Sequence, residues 1–187
     1  DISLEWYFED GSMLAGAIFW KDLDGFITSN TTQVEIAGES FQVTQPINGD
    51  SAEVLGLELS VQKFFENGFG FTASYAYTDT STTVDGVDAG PLTGVSDNSY
   101  SVSFIYEKDK ISTQIALDYS DDYVSDSYSP LGDDYQTSMD AQYMVSASFQ
   151  YDINKNVQVF VEGQNLLDEK NITFQGRDDM PGSIQLY

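Results

Sequence analysis

The sequence contains neither cysteine nor histidine. The first absence excludes disulfides and thiolate chemistry. The second removes the commonest general base and the commonest transition-metal ligand together. Basic residues are scarce as well. Lys and Arg number 7 against 31 Asp and Glu, a formal net charge of −24 over 187 residues, and Arg177 is the single arginine. Such a chain repels a phosphate backbone, which excludes a nucleic-acid partner. No run of about 18 apolar residues occurs, so no transmembrane helix is expected. No signal peptide is read at the start, because Asp1 opens directly into a strand pattern.

What the chain does have is period-two alternation, the mark of strands with one apolar face. In a first strand, about 2–9, Ile2, Leu4, Trp6 and Phe8 alternate with Ser3, Glu5, Tyr7 and Glu9. A second, about 12–21, has less distinct faces and is compatible with burial on both sides. Clearer strands follow at about 55–62, 69–78, 99–106, 111–120, 139–151 and 157–166. The third sets Leu55, Leu57, Leu59 and Val61 against Gly56, Glu58, Ser60 and Gln62. Each is about 8–13 residues long, above the usual 5–6 and near the length that crosses a bilayer at a tilt. Many carry Trp, Tyr or Phe near their ends, as aromatic girdles at two membrane interfaces would. Aromatics also favour strands in general. No helix is expected.

The connections alternate in length. Tight turns fall at Glu9–Gly11, Phe65–Gly68, Glu107–Lys110 and Asp152–Asn156, and long polar stretches at roughly 22–52, 79–98, 121–138 and 168–182. A sandwich has no reason to place all its short turns on one side. An outer-membrane β-barrel does, with short periplasmic turns and long outer loops. Charge follows the same division. Asp22, Asp24, Glu35, Glu39, Asp50, Asp79, Asp85, Asp88, Asp97, Asp121, Asp122, Asp126, Asp133 and Asp134 lie in the long stretches. Lys63, Lys108, Lys110 and Lys155 lie at or beside the short turns. The acids read as a solvated surface, or as an outward face that holds calcium or other cations weakly. No calcium-loop spacing identifies a site, so any metal ligand is unknown, and no cofactor is expected. The turns recur about every 45 residues, a period shared with propeller blades. A blade signature is missing, and propeller strands are short.

Four acids on strand faces are the candidate interior residues: Glu58, Asp118, Asp140 and Glu162. In a barrel they would line a wet lumen and face a solute path or a plug, or be hydrated charges without a ligand. Trp6 and Trp20 read as interface or packing residues rather than sugar platforms. Catalysis is not expected. The pairs Asp121-Asp122, Asp133-Asp134 and Asp178-Asp179 could supply acid and base groups, but neighbours on a strand point to opposite faces. No Gly-x-Ser-x-Gly elbow or phosphate-binding glycine loop is present.

At this point the residues resemble a known family. The run from Leu4 to Ile27 (Leu-Glu-Trp-Tyr-Phe-Glu-Asp-Gly-Ser, then Ala-Ile-Phe-Trp-Lys-Asp-Leu-Asp-Gly-Phe-Ile) resembles late barrel strands of TonB-dependent receptors. So does Gln45-Pro46-Ile47-Asn48-Gly49-Asp50 followed by Leu55-Gly56-Leu57-Glu58-Leu59. Val159 to Glu169 resembles the family's Asn-Leu motif with its acidic turn. The resemblance covers essentially the whole chain in order, though each motif alone is weak. It implies a plugged outer-membrane barrel of about 22 strands. Such a barrel imports iron chelates, cobalamin, sugars or peptides with energy from an inner-membrane partner, the TonB complex.

Residues 1–187 then read as one C-terminal barrel segment of 8–9 long antiparallel strands, truncated at both ends. Plug, first barrel half and final strand are missing from it. Its expected partners are those missing parts, outer-membrane lipid and, through the absent N-terminal part, the TonB complex. Its expected place is the outer membrane of a Gram-negative bacterium. Two alternatives stay open. A released fragment with open strand edges would pair with identical copies as an extracellular cross-β filament. The windows Ile2–Phe8, Leu55–Val61, Phe69–Tyr77, Val145–Tyr151 and Val157–Val161 suit it, while stacked acids oppose it unless cations neutralise them. A secreted acidic β-sandwich adhesin is the other alternative.

Overall fold

In the computed structural model, residues 1–126, 136–176 and 184–186 are described. The sequence features at Pro130, Gly132, Asp133-Asp134, Arg177, Asp178-Asp179, Pro181-Gly182 and Tyr187 lie outside them. The described residues contain strands and no helix. In chain order they are β1 (Ile2–Glu9), β2 (Ser12–Leu23), β3 (Phe26–Ile36), β4 (Glu39–Gly49), β5 (Ser51–Phe64), β6 (Phe69–Val84), β7 (Val87–Gly90) and β8 (Asn98–Lys108). Then follow β9 (Ile111–Ser120), β10 (Tyr123–Asp126), β11 (Gln136–Met139), β12 (Gln142–Asn154), β13 (Val157–Gly163), β14 (Thr173–Gly176) and β15 (Ile184–Leu186). A large antiparallel sheet runs β1-β2-β5-β6-β8-β9-β12-β13, with β7 beside β6. All eight expected long strands are in it, each next to the strand that follows in the long-strand series.

The short turns all fall at one end, because the pairs β1-β2, β5-β6, β8-β9 and β12-β13 are hairpins. Asp109 in the third turn takes φ 55°, and Gly68 in the second takes φ 95°. Gly68 cannot gain a side chain freely, since a Cβ there would sit 2.6 Å from the Glu107 carbonyl oxygen. That closeness has a purpose: the Glu107 amide donates to the Gly68 carbonyl at 2.8 Å, joining two neighbouring turns.

The long stretches are not plain loops, which corrects the sequence reading. The stretch at 22–52 holds the β3-β4 hairpin, closed by a two-residue turn with Ala37 at φ 56° and Gly38 at φ 85°. β6 runs on to Val84 and turns through Asp85 and Gly86, both at positive φ, into β7. This is the Asp-Gly turn that matches strand twist. β10, β11, β14 and β15 form a separate four-stranded sheet. Ile184–Leu186 form β15, outside the main sheet. The β3-β4 hairpin escapes detection because the polar run from Thr28 to Gln33 and the residues Gln42, Thr44 and Gln45 dilute its alternation, although Phe41, Val43 and Ile47 share one face.

Register carries the apolar positions across the large sheet without a break. Leu14, Val61, Ala73, Val102, Leu117 and Val145 form one row across β2 to β12. Tyr75, Tyr100, Tyr119 and Tyr143 form another, nearer the long-connection end. Tyr100 and Tyr119 stack at 4.7 Å, and Tyr119 and Tyr143 at 6.3 Å. Toward the turns Phe69 meets Tyr106 at 4.6 Å. The two aromatic levels lie six to eight residues apart, about 20–27 Å along a strand. That is the scale of the apolar band of an outer-membrane barrel, ~25 Å tall.

Among the described residues no second layer packs on this face. Only Ala52 and Ala116 are buried hydrophobic residues among those described. Ile2, Trp6, Ile18, Trp20, Phe104, Ile115 and Val161 are 56% or more exposed. β2 is thus not buried on both sides, as its sequence allowed: Leu14, Ile18 and Trp20 stand exposed on the apolar face.

Candidate functional site

The opposite face is polar because every second residue along these strands is small or hydrophilic. One register row reads Glu5, Ala15, Ser60, Ser74, Ser101, Asp118 across β1, β2, β5, β6, β8 and β9. The next reads Ser3, Ala17, Glu58, Ala76, Ser99, Ser120. Small side chains leave an open cleft of about 540 Å³ over these rows, lined among others by Glu5, Glu58 and Asp118.

Two of the four expected residues, Glu58 and Asp118, are therefore together on one cleft. Both are exposed. They are three strands apart, about 14 Å at ~4.8 Å per strand. Glu5 joins them, two strands from Glu58 and so about 10 Å away. Carboxylates so spaced cannot share one cation, whose ligands lie at about 2.3–2.6 Å, nor act as a general acid/base pair. They stand singly along the polar face. Glu5 was visible in the alternation of the first strand, opposite Leu4 and Trp6, but was not singled out.

The other two are elsewhere. Glu162 pairs with Ser148 on β13, at the edge of the sheet, and it is not among the residues lining the cleft. Asp140 is not on a strand face. β12 begins at Gln142, and Asp140 sits in the break after β11. There its amide donates to the Ile172 carbonyl at 2.9 Å, and its Oδ1 accepts from the Ala141 amide at 2.9 Å. The side chain that satisfies its neighbour's amide ends the strand early, so Asp140 is a connector residue.

A polar network that sequence reasoning did not single out sits at the long-connection rim. Tyr75 donates to Asn98 Oδ1 at 2.6 Å, and Asn98 Nδ2 donates to Asp121 Oδ2 at 2.6 Å. Tyr119 donates to Asp121 Oδ1 at 2.7 Å. The Asp121 amide donates to the Asn98 carbonyl at 2.9 Å. The Tyr119 hydroxyl and then Asn98 hold the Asp121 carboxyl below its ordinary pKa. Asp121 was read as one more loop acid. The signal was the tyrosine two residues before it, on the same hydrogen-bonding edge.

Among the described residues no group of three or more acidic side chains is arranged to hold a metal ion. A family model described as TonB dependent receptor-like, beta-barrel, matches residues 1–166. No curated protein matches, and no solved structure does. Members of the matched family are transporters of the Gram-negative outer membrane, not enzymes.

Proposed function

This chain belongs to the TonB-dependent receptor-like β-barrel family, and on that premise we propose that its large sheet is a section of barrel wall serving energised nutrient uptake. The observation that carries the reading is the apolar face continuous in register over β1 to β13, with Ile2, Trp6, Ile18, Trp20, Phe104, Ile115 and Val161 exposed on it. In water a contiguous patch of that size is a liability. Against lipid tails it is the required surface, with the tyrosine row at the headgroup level. The polar face then lines the lumen, and Glu5, Glu58, Asp118 and Glu162 face the plug and the solute path.

Among the described residues, β1 and β13 each pair on one side only. Hydrocarbon does not tolerate unpaired strand edges, so further strands of the same receptor close the wall. The partners are those strands, the plug, outer-membrane lipid and the TonB complex. Residues 1–187 act within that wall as one barrel segment. The long connections stand outside the cell and the tight turns in the periplasm, as in other outer-membrane barrels.

The test is fractionation and transport with the receptor in its own membrane. The barrel is expected in the outer-membrane fraction and soluble only in detergent. Removing the inner-membrane energy-coupling complex is expected to stop uptake while leaving surface binding. A detergent-free soluble monomer would sink the barrel assignment in favour of a secreted sandwich. Unbranched filaments with a repeat of about 4.8 Å along the axis would replace it with the extracellular fibre. Uptake that persists without the coupling complex would remove the energised part alone.

A further inference from the structure

A second cavity, of about 280 Å³, lies at the long-connection end. The β3-β4 hairpin contributes Phe26, Thr28 and Ile47 to its wall, and the chain from β6 onward contributes Thr82, Val84 and Leu92. Among the described residues, none that lines it is charged. That is unexpected at the acidic end of a chain with a net charge of −24. The walls are also pinned. Leu92 N donates to Thr80 Oγ1 at 3.0 Å, Thr82 Oγ1 to the Gly90 carbonyl at 2.9 Å, and Gly94 N to the Val124 carbonyl at 2.7 Å. Asp50 ties the hairpin to the β6-β7 turn through Gly86 N at 2.8 Å. Thr82 and Val84 continue the alternation of Ser74 and Ala76, so the cavity stands above the polar face of the sheet.

Carboxylates flank this uncharged interior in the chain: Asp24 two residues before Phe26, Asp50 after Gly49, Asp85 in the β6-β7 turn, Asp88 in β7, and Asp122 before Tyr123. Lys21, a basic residue of this end, has its ammonium 4.7 Å from the Phe19 ring centroid. An anion approaching the cavity meets the field of the acids and finds no cation in the wall. A cation is drawn to the rim, but going further strips its hydration with no carboxylate in the lining to replace it. An uncharged solute pays neither cost. It covers the apolar walls and reaches the threonine hydroxyls. We propose that this cavity is an entry seat for compact uncharged solutes with apolar faces and a few hydrogen-bonding groups, and that the surrounding acids exclude anions. The inference rests on the reading of this end as the outer mouth of the barrel. The volume is at the lower limit of ligand pockets, roughly 300–1,000 Å³, which sets the solute's size.

The absence of cysteine makes the test direct. Val84 lines the cavity, while Val87, its cross-strand partner in the hairpin, is 66% exposed outside it. Val84→Cys and Val87→Cys are made separately in the whole receptor, purified in detergent. Each is reacted with hydroxyethyl, trimethylammonioethyl and sulfonatoethyl methanethiosulfonate, and rates are normalised to a free thiol. At Val84→Cys the neutral reagent is expected fastest and the anionic one slower by about tenfold or more. At Val87→Cys the cationic reagent is expected fastest, and high salt is expected to level its advantage while leaving the neutral preference at Val84→Cys. The proposal is overturned if the cationic or anionic reagent matches the neutral one at Val84→Cys, or if none reacts there. Asn156→Cys, at a tight turn, tests the underlying reading separately. Labelling of that site from outside intact cells would reverse the orientation without altering the order of rates in detergent.

Discussion

The two faces of the large sheet share one backbone and differ in what they tolerate. The outward face repeats Leu, Val, Ile, Phe and Tyr in continuous rows, and among the described residues no second layer covers it. The inward face repeats Ser, Ala, Thr and Gly with widely spaced acids. In a soluble domain the apolar face would be the inside, protected from change by close packing. On the proposed reading the apolar face meets lipid, whose tails adapt to side-chain shape but cannot solvate charge. The wet inward face should accept charge, yet resist bulk wherever two strands pack ring against backbone.

The sharpest way to break this comparison is to place the same cation on each face. Ile115 lies mid-strand on β9 and is 56% exposed on the apolar side. Ile115→Arg is expected to destabilise the assembled barrel by about 2–4 kcal/mol, the cost of a midplane cation on a barrel's lipid face. Ser101→Arg, in the row that ends at Asp118, is expected to leave stability nearly unchanged. Denaturant titration of both variants in lipid checks this. Equal losses would mean that the faces are not lipid and water.

The second prediction concerns bulk on the inward face. Phe19 and Gly56 are cross-strand partners, and a Cβ added at Gly56 would fall within the Phe19 ring. Gly56→Ala is expected to cost roughly 1–3 kcal/mol, the usual penalty of overpacking. Combining it with Phe19→Ala should recover much of that loss, because the obstructing ring is gone. A double-mutant cycle on the same titration measures the coupling, and additive losses would refute it.

These residues also show how far the sequence could be read. Leu55 to Val61 and Tyr100 to Tyr106 announced their strands because an apolar residue stands at every second position. The turns were legible from Gly11, Gly68 and Asp109, which take positive φ. The β3-β4 hairpin was missed because the unbroken polar run from Thr28 to Gln33 hides the alternation that Phe41, Val43 and Ile47 carry on the returning strand. Asp140 was misplaced for a related reason: a polar residue that ends a strand looks like one on its wet face. Glu58 and Asp118 were found by face alone, but their shared cleft depends on small residues from strands far apart in sequence, such as Ala15 and Ser101. The Asp121 network needs β8 beside β9, which alternation does not specify.

At the rim the comparison changes character, because Tyr75 and Tyr119 belong to the outward row yet spend their hydroxyls on a polar network. Asp121, outside the strands, is held below its ordinary pKa by Tyr119 and then Asn98. A depressed folded pKa contributes stability that is present above the unfolded value, about 3.9, and is lost as pH falls through the folded value. The protection factor of the Asp121 amide, whose N–H is bonded to Asn98, should therefore hold at neutral pH and fall below about pH 4. In Asp121→Asn the dependence should flatten. Wild-type protection that does not change with acid would remove the carboxylate from its assigned role.

The smallest effect is expected at the turn end, where the ion pair of Lys63 and Glu9 joins β5 to β1. Glu9 is 62% exposed and Lys63 19%. Solvent and salt screen such a pair, so its coupling should be about 0.2–1 kcal/mol and shrink at high salt. Lys63 has a second role that salt does not reach. Its ammonium lies 5.3 Å from the Phe8 ring centroid and 5.5 Å from that of Phe65, which brings its carbon stem over apolar surface. Lys63→Met, which keeps a long apolar side chain, should lose no more than the pair's coupling. Lys63→Ala should lose more, with an excess that persists in high salt. If the two variants are equally stable, the charge alone matters there, and the turn-end rim is held by its backbone ladder rather than by the rings beneath Lys63.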